Sequence, residues 1–305
     1  MKKNIVFMGT PSYAVRILEE LLNDNFNILA IFTQADKAVG RKQILTPSKV
    51  KEFAINNNLE DKVHTPKSLK GEEISNFISS LKPDYIVVAA YGKILPKSIL
   101  DIAPCINLHA SLLPKYRGAS PIQSAILNQE KESGVCTMLM DVGLDTGDVL
   151  ECVKANIENK NSKEVFELFS NLAANLCVKT LNNFEQIQAQ KQDESKASHC
   201  VKLKKEDGLL NLDDARSVYA KYLAFYEWPE VFLENNIKLK EIKLVDTSSK
   251  NKEKGVISKI NKNSFILTCL IGSIEVFRLQ AAGKKELDAK SFLNGARLKQ
   301  GDKLV

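Results

Sequence analysis

Three polar residues in two short segments have the side-chain types and the spacing that acyl transfer needs. Asn107 and His109 lie two residues apart at the end of an apolar run, and Asp145 lies in a loop bracketed by Gly143 and Gly147. An amide can donate a hydrogen bond to a developing oxyanion, and an imidazole oriented by a carboxylate can hold or move a proton near neutral pH. The pattern therefore predicts a site that transfers an acyl group to an amine.

Each of these residues also has a plainer interpretation. A histidine near a strand end is often structural, an asparagine there often caps a turn, and an aspartate between glycines often shapes a loop. Side chains at positions i and i+2 of a strand share one face, so Asn107 and His109 project together. In a parallel sheet they would lie at the carboxyl edge, where α/β folds bind ligands, and Asp145 follows another predicted strand, 133–140. The combination of the three residues favours a catalytic role over these structural ones.

The first half of the chain alternates short apolar runs with amphipathic segments. This alternation predicts an α/β fold with a Rossmann-like, mostly parallel sheet that helices cover on both faces. The predicted strands are 4–8, 27–33, 85–90, 104–109, 133–140 and 148–154, and the predicted helices are 12–24, 46–57, 71–81, 119–128 and 161–184.

The composition of the chain and its pattern of apolar residues change after residue 189. Residues 190–207 are polar and lysine-rich and predict a linker with a short strand around His199–Val201. Residues 208–305 predict a small β-barrel or sandwich, and 1–189 the catalytic domain. The second domain is expected to contain a helix at 213–226 and strands near 230–233, 237–245, 254–260, 264–270 and 273–280.

Composition narrows the functional class. Residues 1–189 hold 21 basic and 21 acidic residues, whereas 190–305 hold 22 and 16, so the second region carries the whole net charge of +6. A basic second domain suggests a polyanionic partner, although many solvated surfaces are equally basic. Six scattered cysteines predict buried, reduced thiols, and three unclustered histidines predict no metal. No apolar run predicts a membrane span or a signal peptide, so we expect a cytoplasmic protein.

The two polar segments resemble the signature of the folate-dependent formyltransferase family. The pattern Asn-x-His-x-Ser-Leu-Leu-Pro covers 107–114, and Asp-x-Gly-x-Asp-x-Gly follows at 141–147. The resemblance implies the formyltransferase fold followed by an open barrel like an oligonucleotide-binding domain. It also implies 10-formyltetrahydrofolate as the formyl donor, with Asn107, His109 and Asp145 as catalytic residues. The residues that it assigns to folate binding are Ser111, Leu112, Leu113, Pro114, Val88, Ala89, Ala90 and Tyr91.

The acceptor must be inferred from other segments. The basic loop 34–42 resembles the loop with which one branch of the family approaches initiator methionyl-tRNA, and it would place Lys37, Arg41 and Lys42 near the RNA. Alanines at 35 and 38 stand where that branch commonly has prolines. Segments 205–208, 228–229 and 292–298 also resemble the family's second domain. The resemblance thus implies initiator tRNA as the partner, bound by a monomer.

Two other functions fit parts of the pattern. A formyltransferase for a small acceptor, such as an amino-sugar nucleotide or glycinamide ribonucleotide, would share the same catalytic core. The glycinamide enzyme would end near residue 184 and lack the basic domain, so the amino-sugar nucleotide is the main alternative. An inert RNA-binding protein would have no need of Asn107, His109 and Asp145 together.

Overall fold

The computed structural model describes residues 2–40 and 42–305, and the chain folds into two compact units. The first unit comprises residues 1–121, 132–156 and 166–200. The second comprises 122–131, 157–165 and 201–305. In the described residues, no helix is both long enough and apolar enough to cross a membrane.

The first unit is built on a seven-stranded sheet. In chain order its strands and short ladders are β1 (Asn4–Gly9), β2 (Asn27–Phe32), β3 (Lys37–Val39), β4 (Ile44–Thr46), β5 (Val63–His64), β6 (Tyr85–Ala89), β7 (Cys105–His109), β8 (Arg117–Gly118), β9 (Glu132–Leu139), β10 (Val149–Asn156) and β11 (His199–Cys200). The main sheet has the order β10-β9-β7-β6-β1-β2-β5, while β3 pairs with β4 and β8 with β11.

Most neighbours in this sheet are parallel, as the sequence predicted. Strands β5, β2, β1, β6 and β7 run in one direction, and their central members are almost fully buried because apolar residues fill both faces. Strand β9 instead runs antiparallel to β7, and β10 antiparallel to β9. The predicted mostly parallel sheet is therefore confirmed, with an antiparallel edge next to β7.

Between residues 12 and 208 the described chain also forms helices. They are α1 (Ser12–Asn23), α2 (Lys49–Asn56), α3 (Glu72–Ser80), α4 (Lys97–Leu100), α5 (Pro121–Leu127) and α6 (Ser162–Asn182), with 3-10 turns at Glu60–Lys62, Phe184–Gln186, Glu194–Lys196 and Lys205–Gly208. Of these, α5 beyond its first residue, the start of α6 and the 3-10 turn Lys205–Gly208 belong to the second unit. Helix α1 buries Ala14, Ile17 and Leu21 because they recur at helical spacing on one face. Helix α6 lies against β9, where the hydroxyls of Thr180 and Thr137 are 3.0 Å apart.

The second unit contains an open antiparallel sheet. Its elements are α7 (Ala215–Ala224), β12 (Lys238–Lys250), β13 (Ile257–Ile260), β14 (Phe265–Thr268), β15 (Ile271–Gln280), β16 (Leu287–Asp288) and α8 (Ala289–Ala296). The strand order is β12-β15-β14-β13, and β16 pairs with β15. This agrees with the predicted open β domain. The strand predicted near 230–233 is wrong, because Phe232 makes only isolated bridges to Leu209 and Lys238.

The cysteines depart in part from the predicted reduced state. Cys136 and Cys152 face each other across β9 and β10 and form a disulfide, with their Cα atoms 4.1 Å apart. The sequence could not indicate this pairing because it depends on the register of the two strands. The other cysteines are buried thiols outside this disulfide, and burial raises the pKa of Cys105 and of Cys269 to about 12.

Candidate active site

The structure brings Asn107, His109 and Asp145 together. Asn107 and His109 occupy alternate positions at the end of β7, where Asn107 is half-buried and His109 is 5% exposed. The Nδ2 atom of Asn107 donates to Oδ1 of Asp145 over 3.3 Å, and Nδ1 of His109 lies 3.6 Å from Oδ2. The three side chains therefore form one cluster with a single carboxylate at its centre.

The sequence suggested that Asp145 lies directly at the end of a strand parallel to β7. The structure instead brings it to the cluster on a loop that folds back. Because β9 is antiparallel to β7, it ends beside the start of β7, and the N–H of Met140 donates to the carbonyl of Cys105 over 2.8 Å. The loop must then double back. It lies close to its own strand at Gly147, where an added Cβ would be 1.8 Å from the carbonyl oxygen of Leu139. The tight return depends on that glycine.

Local hydrogen bonds give this returning loop its shape. Oδ1 of Asp141 accepts from the N–H of Gly143 over 2.9 Å and from the hydroxyl of Thr146 over 2.7 Å. Asp145 has a φ of +56°, in the left-handed region that residues with a Cβ seldom adopt. Asp is among the residue types that tolerate this region best, so the carboxylate can be presented from a sharp turn.

A second loop holds the other side of the cluster. Nε2 of His109 is 2.9 Å from the carbonyl oxygen of Tyr116, and the N–H of Gly118 donates to Oδ2 of Asp145 over 2.9 Å. A carbonyl can only accept, so Nε2 of His109 carries a proton and donates it, and Nδ1 is the nitrogen that faces the carboxylate. Among the described residues, one amide hydrogen of Asn107 remains without a protein acceptor and can donate to a substrate oxygen.

A buried arginine lies next to this cluster, although the motif gave it no role. Arg117 is 1% exposed and donates from Nη1 and Nη2 to both carboxylate oxygens of Glu194, over 2.9 and 2.7 Å. These hydrogen bonds raise the pKa of Arg117 further above its ordinary value. It also donates to Gln192, whose amide contacts the Asp145 loop. An arginine within an apolar motif was the available signal, whereas the glutamine and glutamate lay in the polar stretch predicted to be a linker.

The loop predicted to bind folate is partly buried, so only some of its side chains can contact a ligand. Ser111 is fully buried and its hydroxyl donates to the carbonyl of Lys115 over 2.6 Å, so this side chain fixes the turn from the inside. Leu112, Leu113 and Pro114 are half-buried, and the Leu113–Pro114 peptide is cis. The two leucines are the side chains of this loop that can form part of an apolar wall.

The predicted pocket wall on β6 is buried on most of its length. Val88, Ala89 and Tyr91 are at most 4% exposed, so they offer almost no accessible surface to a ligand and can only support a pocket wall from behind. Ala90 is exposed and has a φ of +46°. The hydroxyl of Tyr91 makes no hydrogen bond to any described residue, and burial raises its pKa to about 12, so it stays protonated. Gln34 fixes this strand end by donating to the carbonyl of Tyr91 over 3.0 Å.

The predicted tRNA loop forms a small hairpin from β3 and β4. Lys37 and Lys42 are exposed, Lys37 donates to Oε1 of Gln34, and Arg41 lies outside the described residues. The hairpin also exposes three large apolar side chains, Val39, Ile44 and Leu45, at 55%, 61% and 68%. The hairpin therefore presents charge and apolar surface together.

Comparisons with known proteins agree with this architecture. The formyl transferase family pattern matches residues 2–181, and the pattern of its C-terminal domain matches residues 202–297. The chain is 63% identical over 302 residues to a methionyl-tRNA formyltransferase of Campylobacter lari, with 99% of each chain covered.

Solved structures share the fold at lower sequence identity. One is a sugar 3N-formyl transferase crystallised in the presence of dTDP and 5-N-formyl-THF, with a TM-score of 0.67, 20% identity, and coverage of 93% of this chain and 99% of that one. Another is an N-formyltransferase from Helicobacter canadensis in complex with folinic acid and dTDP-3-aminofucose, with a TM-score of 0.66, 19% identity and coverage of 90% and 99%. With both halves of the chain matched, this protein belongs to the formyl transferase family.

Proposed function

We propose that this protein transfers the formyl group of 10-formyltetrahydrofolate to the α-amine of methionine on initiator methionyl-tRNA, for translation initiation in the cytoplasm. The observation that carries the proposal is the cluster of Asn107, His109 and Asp145 in a chain that matches a methionyl-tRNA formyltransferase at 63% identity over its whole length. A protein that only bound RNA would not need this cluster.

Each member of the cluster has a role that its contacts permit. The unoccupied amide hydrogen of Asn107 can donate to the oxygen that becomes negative when the amine attacks the formyl group. Nε2 of His109 is 2.9 Å from the carbonyl oxygen of Tyr116, and Nδ1 lies 3.6 Å from Oδ2 of Asp145, so the ring is oriented between the two. Asp145 stabilises positive charge on that ring and can order the water or amine from which a proton is removed. Asn107 is thus the direct oxyanion donor, and His109 with Asp145 is the proton-handling pair.

The surroundings of the cluster suit a flat heteroaromatic donor. 10-Formyltetrahydrofolate supplies an activated formyl group on a nitrogen attached to an aromatic ring. Half-buried Leu112 and Leu113 and the exposed residue Ala90 offer apolar surface for such a ring. In the returning loop, Val142 and Leu144 are exposed at 76% and 62%, which leaves further apolar surface beside Asp145. We assign folate binding to these segments, with Ser111, Pro114, Val88, Ala89 and Tyr91 supporting the pocket wall through packing.

We assign residues 1–189 to the catalytic domain, 190–207 to the linker and 208–305 to tRNA binding, in a monomer; of the linker, residues 190–200 belong to the first compact unit. The support for this division is electrostatic, because the region after residue 189 carries the whole net charge of +6. The exposed lysines at 37 and 42 belong to the hairpin proposed to approach the acceptor end. Lysines recognise phosphates without reading sequence, so this surface would supply affinity.

Neutralising exposed lysines of the second unit should flatten the salt dependence of tRNA binding. The variant with Lys252, Lys259 and Lys262 changed to Gln removes three exposed charges near β13. We expect the slope of log K against log salt to fall by up to ~0.9 for each duplex phosphate that the variant no longer neutralises. The measurement is tRNA affinity at four or five salt concentrations.

A matched variant of the first unit controls for net charge. Changing Lys67, Lys70 and Lys82, which are also exposed, to Gln removes the same three charges and should leave the slope close to that of the wild type. Equal slopes for the wild type and the second-unit variant would show that these lysines make no phosphate contacts.

Single-turnover transfer of formyl from 10-formyltetrahydrofolate to methionyl initiator tRNA tests the proposed function directly. The expected product is formyl-methionyl-tRNA, and its absence with folded protein would overturn the proposal. The alternative, an amino-sugar nucleotide acceptor, has the support of the structural neighbours that act on sugars, although these are about 20% identical. A dTDP-amino sugar assayed in parallel distinguishes the two acceptors.

A further inference from the structure

The chain segment after α6 returns to the proposed active site. In this return segment, residues 190–200, Gln190 exchanges two backbone hydrogen bonds of 2.8 Å with Val149, just after the Asp145 loop. Further along, the carbonyl of Ser198 accepts from the N–H of Arg117 over 2.8 Å, and its hydroxyl accepts from the N–H of Tyr116 over 2.9 Å. The segment therefore binds both loops that surround the cluster.

Gln192 lies at the centre of this segment and uses both ends of its amide. Its Nε2 donates to the carbonyl oxygens of Asp145 and Gly147, over 2.9 and 2.7 Å. Its Oε1 accepts from Nε and Nη2 of Arg117, over 3.0 and 2.8 Å. Only a side-chain amide offers two donors and an acceptor in one neutral group of this length. The side-chain type therefore matches the four contacts.

The arginine on the far side of Gln192 is itself fixed. Arg117 is 1% exposed, and its paired hydrogen bonds to Glu194 balance a charge that would be costly to bury alone. The next residue, Gly118, donates its N–H to Oδ2 of Asp145. Gln192 therefore binds the backbone carbonyl of Asp145, and Gly118 binds its carboxylate. Both are fixed by Arg117, which contacts Gln192 and precedes Gly118 in the chain.

From this geometry we infer that Gln192 is a positioning residue that holds the carboxylate of Asp145 in place for His109 and Asn107. The inference rests on the proposed function, which gives Asp145 its role. Asp145 has a left-handed backbone, and its loop returns sharply from an antiparallel strand, so the loop would relax without external donors. A displacement of about 1 Å at a reacting group can cost ~10²-fold in rate.

Gln192→Glu tests this role because it changes only one end of the side chain. The carboxylate still accepts from Arg117, but it cannot donate to the carbonyls of Asp145 and Gly147 and places negative charge against them. We expect kcat for formyl transfer to fall by ~10- to 10²-fold, with KM for both substrates nearly unchanged. Gln192→Met, which removes the donors without adding charge, should lower kcat in the same direction.

Two controls separate positioning from a general structural effect. Gln190→Glu makes the same chemical change two residues away, on an exposed side chain whose residue contacts Val149 through its backbone, and should retain wild-type kcat. In an Asp145→Asn background, Gln192→Glu should have little further effect, because the group that it positions has already been altered. Multiplicative losses in the double variant, or full kcat in Gln192→Glu, would overturn the inference.

A readout without substrate completes the test. Hydrogen exchange of the Gly118 amide, which donates to Asp145, should be faster in Gln192→Glu than in Gln190→Glu, while global protection stays the same. Unchanged exchange at Gly118 would overturn the positioning role. Because this measurement needs no acceptor, failure of the wild type to formylate methionyl-tRNA would count against the proposed function and leave the exchange result to decide the inference.

Discussion

Asn107→Ala should lower kcat for formyl transfer by at least ~10²-fold and leave the fold intact. The substitution removes an amide hydrogen that has no acceptor among the described residues and can donate to a developing oxyanion, and such donors are worth ~10²–10³ in rate. The backbone of Asn107 stays paired with Val88 of β6 and Met138 of β9, so the strand should persist. Single-turnover rates at saturating donor and acceptor give the size of the effect.

Two comparisons make this result interpretable. Asn56→Ala makes the same change at an exposed position of α2 and should keep the wild-type rate. The unfolding midpoint of Asn107→Ala should remain close to that of the wild type, since within the described part of the chain the amide loses only a long hydrogen bond of 3.3 Å to Asp145. If Asn107 only caps a turn, the midpoint will fall while turnover stays within about tenfold of the wild type.

Asp145→Asn should reduce kcat by ~10²–10⁴-fold, the range associated with positioned acid–base groups. The amide oxygen can still accept from Gly118, but the neutral side chain no longer stabilises positive charge on His109, whose Nδ1 lies 3.6 Å away. Asparagine adopts left-handed φ values as readily as aspartate, so the +56° backbone is preserved. Presteady-state formylation under single-turnover conditions isolates this step.

The same loop provides the control for charge. Asp141→Asn also removes one carboxylate, but its remaining oxygen can keep the hydrogen bonds from Gly143 and Thr146 that shape the loop. Its rate should stay near that of the wild type. Comparable losses in the two variants would mean that the loop responds to net charge, and that Asp145 has no specific role at His109.

Much of the fold was predictable because buried strands and amphipathic helices leave periodic patterns. In the sequence, β1 and β6 are nearly continuous apolar runs, and α1 has apolar residues at helical spacing that predict one buried face. The direction of β9 could not be read in this way, since a buried strand has the same composition in either direction. The sequence predicted that Asp145 lies in the same crevice as Asn107 and His109. It did so for a route through parallel strand ends, which the antiparallel pairing of β9 with β7 rules out.

The parts of the site that the sequence did not predict depend on contacts between residues far apart in the chain. Gln192 contacts a backbone carbonyl 47 residues away, and in the sequence it is one polar residue within a lysine-rich stretch. Arg117 lies inside the motif, but its burial follows from Glu194, 77 residues away. Composition and periodicity describe a residue's own element, whereas these contacts depend on how separate segments meet.

The return segment limits where this chain can be divided. A fragment that stops at residue 189 keeps every strand of the main sheet and all of α6, and would look complete by its secondary structure. It would lack Gln192, Glu194 and the β11 ladder, and so would leave Arg117 as a buried charge without its partners. Modular dissection, fusion or transplantation of the first unit must therefore be made after residue 200, because its boundary is set by hydrogen bonding rather than by the end of its helices.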